Sequence, residues 1–255
     1  MKYKFSDALT LLELSISIII ISILVILTLS IDSLRDKAEI SNNYIEAKEL
    51  IGKIHLFKVK YGTLPGDIPN PKKFLPNSVG YGNGNGKIDG QYTTVGSFGF
   101  NEETIVMNHL SNASLVEGSF SGAFGNNYSF SSNIYPSKNK RTGFSIYGTG
   151  ALIPQLVSSF YDKYNNVLSQ GGKHSYGSLT RYSKVFLTSL EAEYLDRKFD
   201  DGLPFKGNIR AFYIDPSQSE TTGQHLCMNG TTVSATYNVT AHQTKHTCSI
   251  LYNIN

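Results

Sequence analysis

The chain has 255 residues, a formal net charge of +3 and 17% charged residues, below the roughly 25% of ordinary soluble domains. It has no basic run of the kind that marks a nucleic-acid surface, and its 40% hydrophobic content supplies enough apolar area to exclude a disordered chain. Ser, Asn, Gly and 16 Tyr carry much of the polarity, a mixture suited to an extracellular surface rich in turns.

Met1 to Ala8 is a short polar leader with Lys2 and Lys4, and Leu9 to Ile31 is an apolar run before Asp32 whose only charge is Glu13. At about 1.5 Å per residue, roughly 23 residues of helix cover the ~30 Å hydrocarbon core, so the run predicts a membrane-crossing helix. A carboxylate inside it costs at least ~2.5 kcal/mol, which marks Glu13 as functional. A secretory signal peptide ends its apolar core after about 7 to 15 residues, whereas this core continues into Asp32-Ser33-Leu34-Arg35. A plain uncleaved anchor has the right length but gives no reason for the acid.

The order Ala8-Leu9-Thr10-Leu11-Leu12-Glu13-Leu14 resembles the N-terminus of type IV pilins and type II secretion pseudopilins: small residue, apolar residue, Thr, two apolar residues, Glu, Leu. That resemblance implies a leader over residues 1–8 that a prepilin peptidase removes after Ala8. The same enzyme then methylates the new amino group of Leu9. Ala8 and Leu9 replace the commoner Gly and Phe, and Ser22 and Ser30 stand in the stretch where many pilins carry helix breakers. The freed amine and Glu13 would both sit in a low-dielectric setting where each charge needs a partner. An amine from a neighbouring subunit against Glu13 would then set the stagger of a filament.

The implied partners are other pilin subunits in a homo- or hetero-filament, the prepilin peptidase, an inner-membrane assembly platform with its cytoplasmic ATPase, and the lipid bilayer. The chain has no P-loop of its own. The implied location is a bacterial inner membrane, single-pass, with the head outside the cytoplasm until a periplasmic or cell-surface filament forms.

From Asp32 the sequence becomes amphipathic. Tyr44, Ala47, Ile51, Ile54, Phe57 and Tyr61 recur at steps of three and four, one stripe of a helix. Gly62 and Pro65 end it. The expected organisation is therefore a leader (1–8), a transmembrane segment (9–31), an amphipathic continuation (32–61) and a globular head (62–255). Leu64-Pro65-Gly66-Asp67 opens the head, and Gly82-Asn83-Gly84-Asn85-Gly86-Lys87-Ile88-Asp89-Gly90 reads as a series of tight turns. Its alternating oxygen side chains also suggest a calcium loop, with Asp67 and Asp89 as weak ligands. However, Lys87 occupies an early place and Thr94 stands where an EF-hand needs Glu. No other cofactor is expected.

Asn101-Glu102-Glu103-Thr104 opens a short helix to about Asn112, with His109 in a packing or hydrogen-bonding role. Short strands are expected around Leu115 to Phe120, Tyr128 to Phe130 and Phe144 to Tyr147. Two helices follow, Ala151 to Leu168 broken by Gly171-Gly172, and Leu179 to Phe199 with Leu187, Leu190, Tyr194 and Leu195 inward. Asn208 to Asp215, Thr232 to Val239 and Cys248 to Ile254 read as strands. Asp196, Asp200 and Asp201 raise the question of acid chemistry, but Asp200-Asp201-Gly202-Leu203-Pro204 also describes a solvated helix end.

Cys227 and Cys248 are the only cysteines. In an oxidising compartment they read as one disulfide; a rival is a metal site with His225, His242 and His246, whose spacing does not suit Cys2His2 zinc. The fold class expected is α+β: a long N-terminal helix packed on an antiparallel sheet, with inserted helices. The expected function is a non-enzymatic pilin-like subunit of a type IV pilus or a type II secretion pseudopilus. A membrane-anchored extracytoplasmic enzyme or adhesin is the alternative. Phrases such as Leu64-Pro65-Gly66-Asp67 and Asp196-x-Lys198-x-Asp200-Asp201-Gly202-x-Pro204 extend the resemblance into the head.

Overall fold

The computed structural model describes residues 10–89, 102–122, 132–138, 140–148, 166–176, 179–212, 227–230, 234–240 and 246–254; the side chains of 27–33, 147, 173–176 and 179–184 lie outside the description. The chain divides into two compact units, Met1–Asn42 and Asn43–Asn255. Helix α1 (Leu11–Tyr61) contributes to both.

In the first unit α1 exposes its apolar side chains, from Leu11 at 87% to Ile26 at 63%. Among the described residues no helix is long and apolar enough to cross a membrane. The described side chains of the apolar run stop at Ile26 and resume at Leu34, so the expected span Leu9 to Ile31 falls partly outside them.

The second unit is mixed helix and antiparallel sheet, an α+β fold. Its part of α1 buries Ala47, Leu50, Ile51, Ile54 and Phe57, the face that the three-and-four spacing predicts, with Leu50 added. Tyr44 and Tyr61 flank this stripe. Tyr44 stacks on Phe199 at 4.0 Å and leans on Tyr252 at 6.3 Å, and Phe57 meets Tyr61 at 4.5 Å. Gly62, at φ +77°, closes the helix by donating its N–H to Lys58 O at 2.8 Å, as a glycine beyond a helix end does.

The sheet comprises β1 (Tyr135–Pro136), β2 (Thr142–Gly148), β3 (Asn166–Tyr176), β4 (Leu179–Lys184), β5 (Ile209–Phe212) and β8 (Ser249–Asn253). Its order is β1-β2-β3-β8-β5, with β4 also on β3, and every pairing is antiparallel. One flank of β3 pairs with β2. The other is shared, with Val167–Gln170 facing β8 and Gly172–Tyr176 facing β4, and a register shift between Gly172 and Lys173 falls within the β4 pairing. A separate ribbon pairs β6 (Met228–Asn229) with β7 (Thr236–Tyr237). Two further helices are α2 (Glu102–Asn112) and α3 (Ser189–Phe199).

Several expectations need correction. Asn166 to Leu168 belong to β3 rather than to a helix, and Gly171-Gly172 lie inside that strand; they face Gly143 and Thr142 of β2, so the pair sits in the ladder and is no breaker. The supposed helix from Leu179 is β4, a bridge at Leu187 to Cys248, and then α3. Thr188 starts α3 through a reciprocal cap: Glu191 N–H donates to Thr188 Oγ1 at 3.2 Å and Thr188 N–H to Glu191 Oε2 at 2.7 Å. Of the residues expected inward, Leu187 and Leu195 are buried, Tyr194 is half-buried and Leu190 is 49% exposed; α3 also buries Ser189, Ala192 and Asp196. Leu115 to Phe120 form no strand: Leu115 to Gly118 are bends, with Gly118 at φ +104°, outside the strand region. The expected strand at Tyr128 to Phe130, and most of the helix expected from Ala151, lie outside the described residues.

Candidate functional site

At the start of α1, Thr10 and Glu13 form a reciprocal cap. Glu13 Oε2 accepts the Thr10 N–H at 2.8 Å and the Thr10 hydroxyl at 2.9 Å, while the Glu13 N–H donates to Thr10 Oγ1 at 3.2 Å. Two of the donors that a helix start leaves unsatisfied are thereby paired. Thr-x-x-Glu ahead of an apolar run is a sequence signature of such a cap, and it was readable in Thr10-Leu11-Leu12-Glu13. Glu13 Oε1 has no partner among the described residues. Ala8 and Leu9 lie outside them.

A second constellation surrounds the Gly-Asn loop. Asp67, 1% exposed, accepts three backbone N–H groups: Gly84 at 2.7 Å and Asn85 at 3.1 Å on Oδ1, and Gly86 at 2.8 Å on Oδ2. Glu102, at the start of α2, accepts Asn83 N–H at 2.8 Å and Asp89 N–H at 2.7 Å. Asp89 Oδ2 takes the Nδ2 donors of Asn83 and Asn85, both at 2.8 Å. The loop thus folds around carboxylates that use backbone and amide donors, which is a turn network. Burial pushes the Glu102 carboxyl up to about 7 against the pull of its two N–H donors, and burial likewise raises Asp67. The path from Gly66 to Gly82 is tight: a Cβ on Gly82 would lie 2.4 Å from Asp67 Cα, so glycine is required there.

His109 lies against this loop, fully buried. Its Nδ1 accepts Gly66 N–H at 2.9 Å and its Nε2 pairs with Val79 O at 3.2 Å, which fixes a neutral ring protonated on Nε2. Burial lowers its pKa to about 4. With both nitrogens engaged, it acts as a strut.

Asp196, Asp200 and Asp201 do converge, with ligand atoms within 4.8 Å of one another. Each already has donors. Asp196 accepts Tyr237 O–H at 2.8 Å and Gly202 N–H at 3.3 Å. Asp200 accepts Asn208 N–H and, at 2.7 Å, Ile209 N–H, and Asp201 accepts Leu203 N–H at 2.9 Å. The geometry ties the end of α3 to β5 and to the β6–β7 ribbon. That tie gives the Asp-x-x-x-Asp-Asp-Gly phrase a structural role.

Cys227 and Cys248 are joined by a disulfide across 5.2 Å between their Cα atoms. Their sulfurs are therefore not thiolate ligands, and His246 is exposed, while His225 and His242 lie outside the described residues. No family profile, curated protein or solved structure matches the chain.

Proposed function

We propose that the chain is a pilin-like structural subunit, cut after Ala8 by a prepilin peptidase and assembled from a bacterial inner membrane into a type IV pilus or a type II secretion pseudopilus. The observation that carries this reading is the division of labour along α1. Its first part exposes an apolar surface from Leu11 to Ile26, far larger than an isolated soluble chain tolerates, while its last part buries an apolar stripe in an α+β head. Lipid covers the exposed part before assembly, and the helices of neighbouring copies cover it afterwards.

In this reading Glu13 has two tasks, one for each oxygen. Oε2 caps its own helix through Thr10, and Oε1 meets the Leu9 amine of a neighbouring subunit. The extracytoplasmic setting agrees with the Cys227–Cys248 disulfide, since such bonds persist in oxidising compartments. Mass spectrometry of the chain extracted from membranes is the test. A methylated start at Leu9 supports the proposal, and retention of Met1 in a host equipped with the peptidase refutes it.

A further inference from the structure

Asn83-Gly84 and Asn85-Gly86 are the kind of step at which asparagine is lost most readily, because glycine has no side chain to hinder ring closure. The glycine backbone nitrogen gives up its proton and attacks the asparagine Cγ. A C–N bond forms, the Cγ–Nδ2 bond breaks and ammonia leaves. Water then opens the succinimide to aspartate or isoaspartate, so one water enters for each ammonia released.

In the folded chain both attacking nitrogens are occupied. Gly84 N–H donates to Asp67 Oδ1 and Gly86 N–H to Asp67 Oδ2, and Asp67 is buried. A carboxylate held against an N–H opposes its deprotonation, since the product would be a second negative charge beside the first. The electrophile is fixed as well. Asn83 Oδ1 accepts Asn85 N–H at 2.9 Å and Asn85 Oδ1 accepts Lys87 N–H at 2.7 Å, while both Nδ2 groups are held on Asp89.

A third step, Asn229-Gly230, gives an internal comparison. Both residues are exposed, as Asn83 to Gly86 also are, but Gly230 N–H has no partner among the described residues.

We propose that the Asp67 carboxylate shields Asn83 and Asn85 from succinimide formation, so that the Gly-Asn loop is a latent modification site that becomes reactive only when this cradle opens. Once modified, the loop cannot return to its place. Each conversion removes an Nδ2 donor to Asp89 and adds a negative charge close to Asp67, Asp89 and Glu102.

The test is peptide-level mass spectrometry of the purified full-length chain, incubated at mildly alkaline pH with and without denaturant. In denaturant all three steps deamidate at similar rates. In the native chain Asn83 and Asn85 slow by at least about tenfold, the weight of one charge-assisted hydrogen bond, while Asn229 slows far less. Asp67→Asn, with its fold checked by circular dichroism, restores rapid loss at Asn83 and Asn85 and leaves Asn229 unchanged. Native rates at Asn83 and Asn85 equal to the denatured rates would overturn the proposal, and so would undiminished protection in a folded Asp67→Asn chain. The comparison of native with denatured rates stands even if that variant does not fold.

Discussion

Asp196 gives the sharpest test of the head's electrostatics. It is 0% exposed, and burial raises its carboxyl from 3.8 to about 7, reinforced by the charges of Asp201 and Asp200 and opposed by the Tyr237 and Gly202 hydrogen bonds. Between about pH 4 and 7 the folded chain therefore keeps a proton that the unfolded chain has lost. The stability this group contributes is fully present below the unfolded value of 3.8 and is lost as pH rises through about 7. At ~1.4 kcal/mol per pH unit the loss is bounded at ~4 kcal/mol. Glu102, raised to about 7, acts with the same sign in a similar window. Asp196→Asn removes the titration while leaving an oxygen for Gly202 N–H and a donor for the Tyr237 oxygen. Urea unfolding followed by circular dichroism, from mildly acidic to mildly alkaline pH, should show the wild type weakening across that range. The variant should weaken less, match the wild type in acid and exceed it above neutrality. Equal slopes for the two proteins would refute this account of the site.

Three further outcomes follow from the geometry. Glu13→Gln keeps a capping side chain without the charge, so if the ion pair drives assembly it should lose filaments as completely as Glu13→Ala in sheared-fibre counts; filaments from the Gln variant alone would leave capping as the role. Thr188→Ala removes the reciprocal cap of α3 and should cost about 1 kcal/mol, read as a lower unfolding midpoint with unchanged pH dependence. Reduction, or Cys248→Ala, opens a loop with a sequence separation of 21 residues and should cost roughly 3 kcal/mol, measured by denaturant titration with and without thiol.

The helices with a one-sided apolar pattern were legible from the sequence. The stripe from Ala47 to Phe57, the Gly62 stop and the acidic start of α2 all follow from local chemistry, and the α+β class follows from them together with the β-prone tail. Where the reading went wrong, tertiary pairing had overridden local pattern. Gly171 and Gly172 look like breakers, yet they sit in β3 because β2 supplies ladder partners at Gly143 and Thr142. Leu179 to Lys184 carries no cap to separate it from α3, and only the Thr188-x-x-Glu191 signature marks the true start. The cradle of Asp67 and Glu102 around the Gly-Asn loop was only half visible. Composition reveals tight turns, but no spacing rule joins Asp67 to glycines 17 and 19 residues later.

The place of β8 between β3 and β5 imposes an order of events on biosynthesis. Every other strand among the described residues precedes it in the chain, so until Ser249–Asn253 emerge, the edges of β3 and β5 that it will cover present bare peptide groups, the condition that invites strand-to-strand aggregation. Completion of the sheet, the Leu187–Cys248 bridge and the contact of His55 with Ile254 O all await the segment from Cys248 to Ile254. A nascent head is thus a substrate for chaperones until Ser249–Asn253 emerge, and a chain cut before Ser249 would lack the strand on which the rest of the sheet closes.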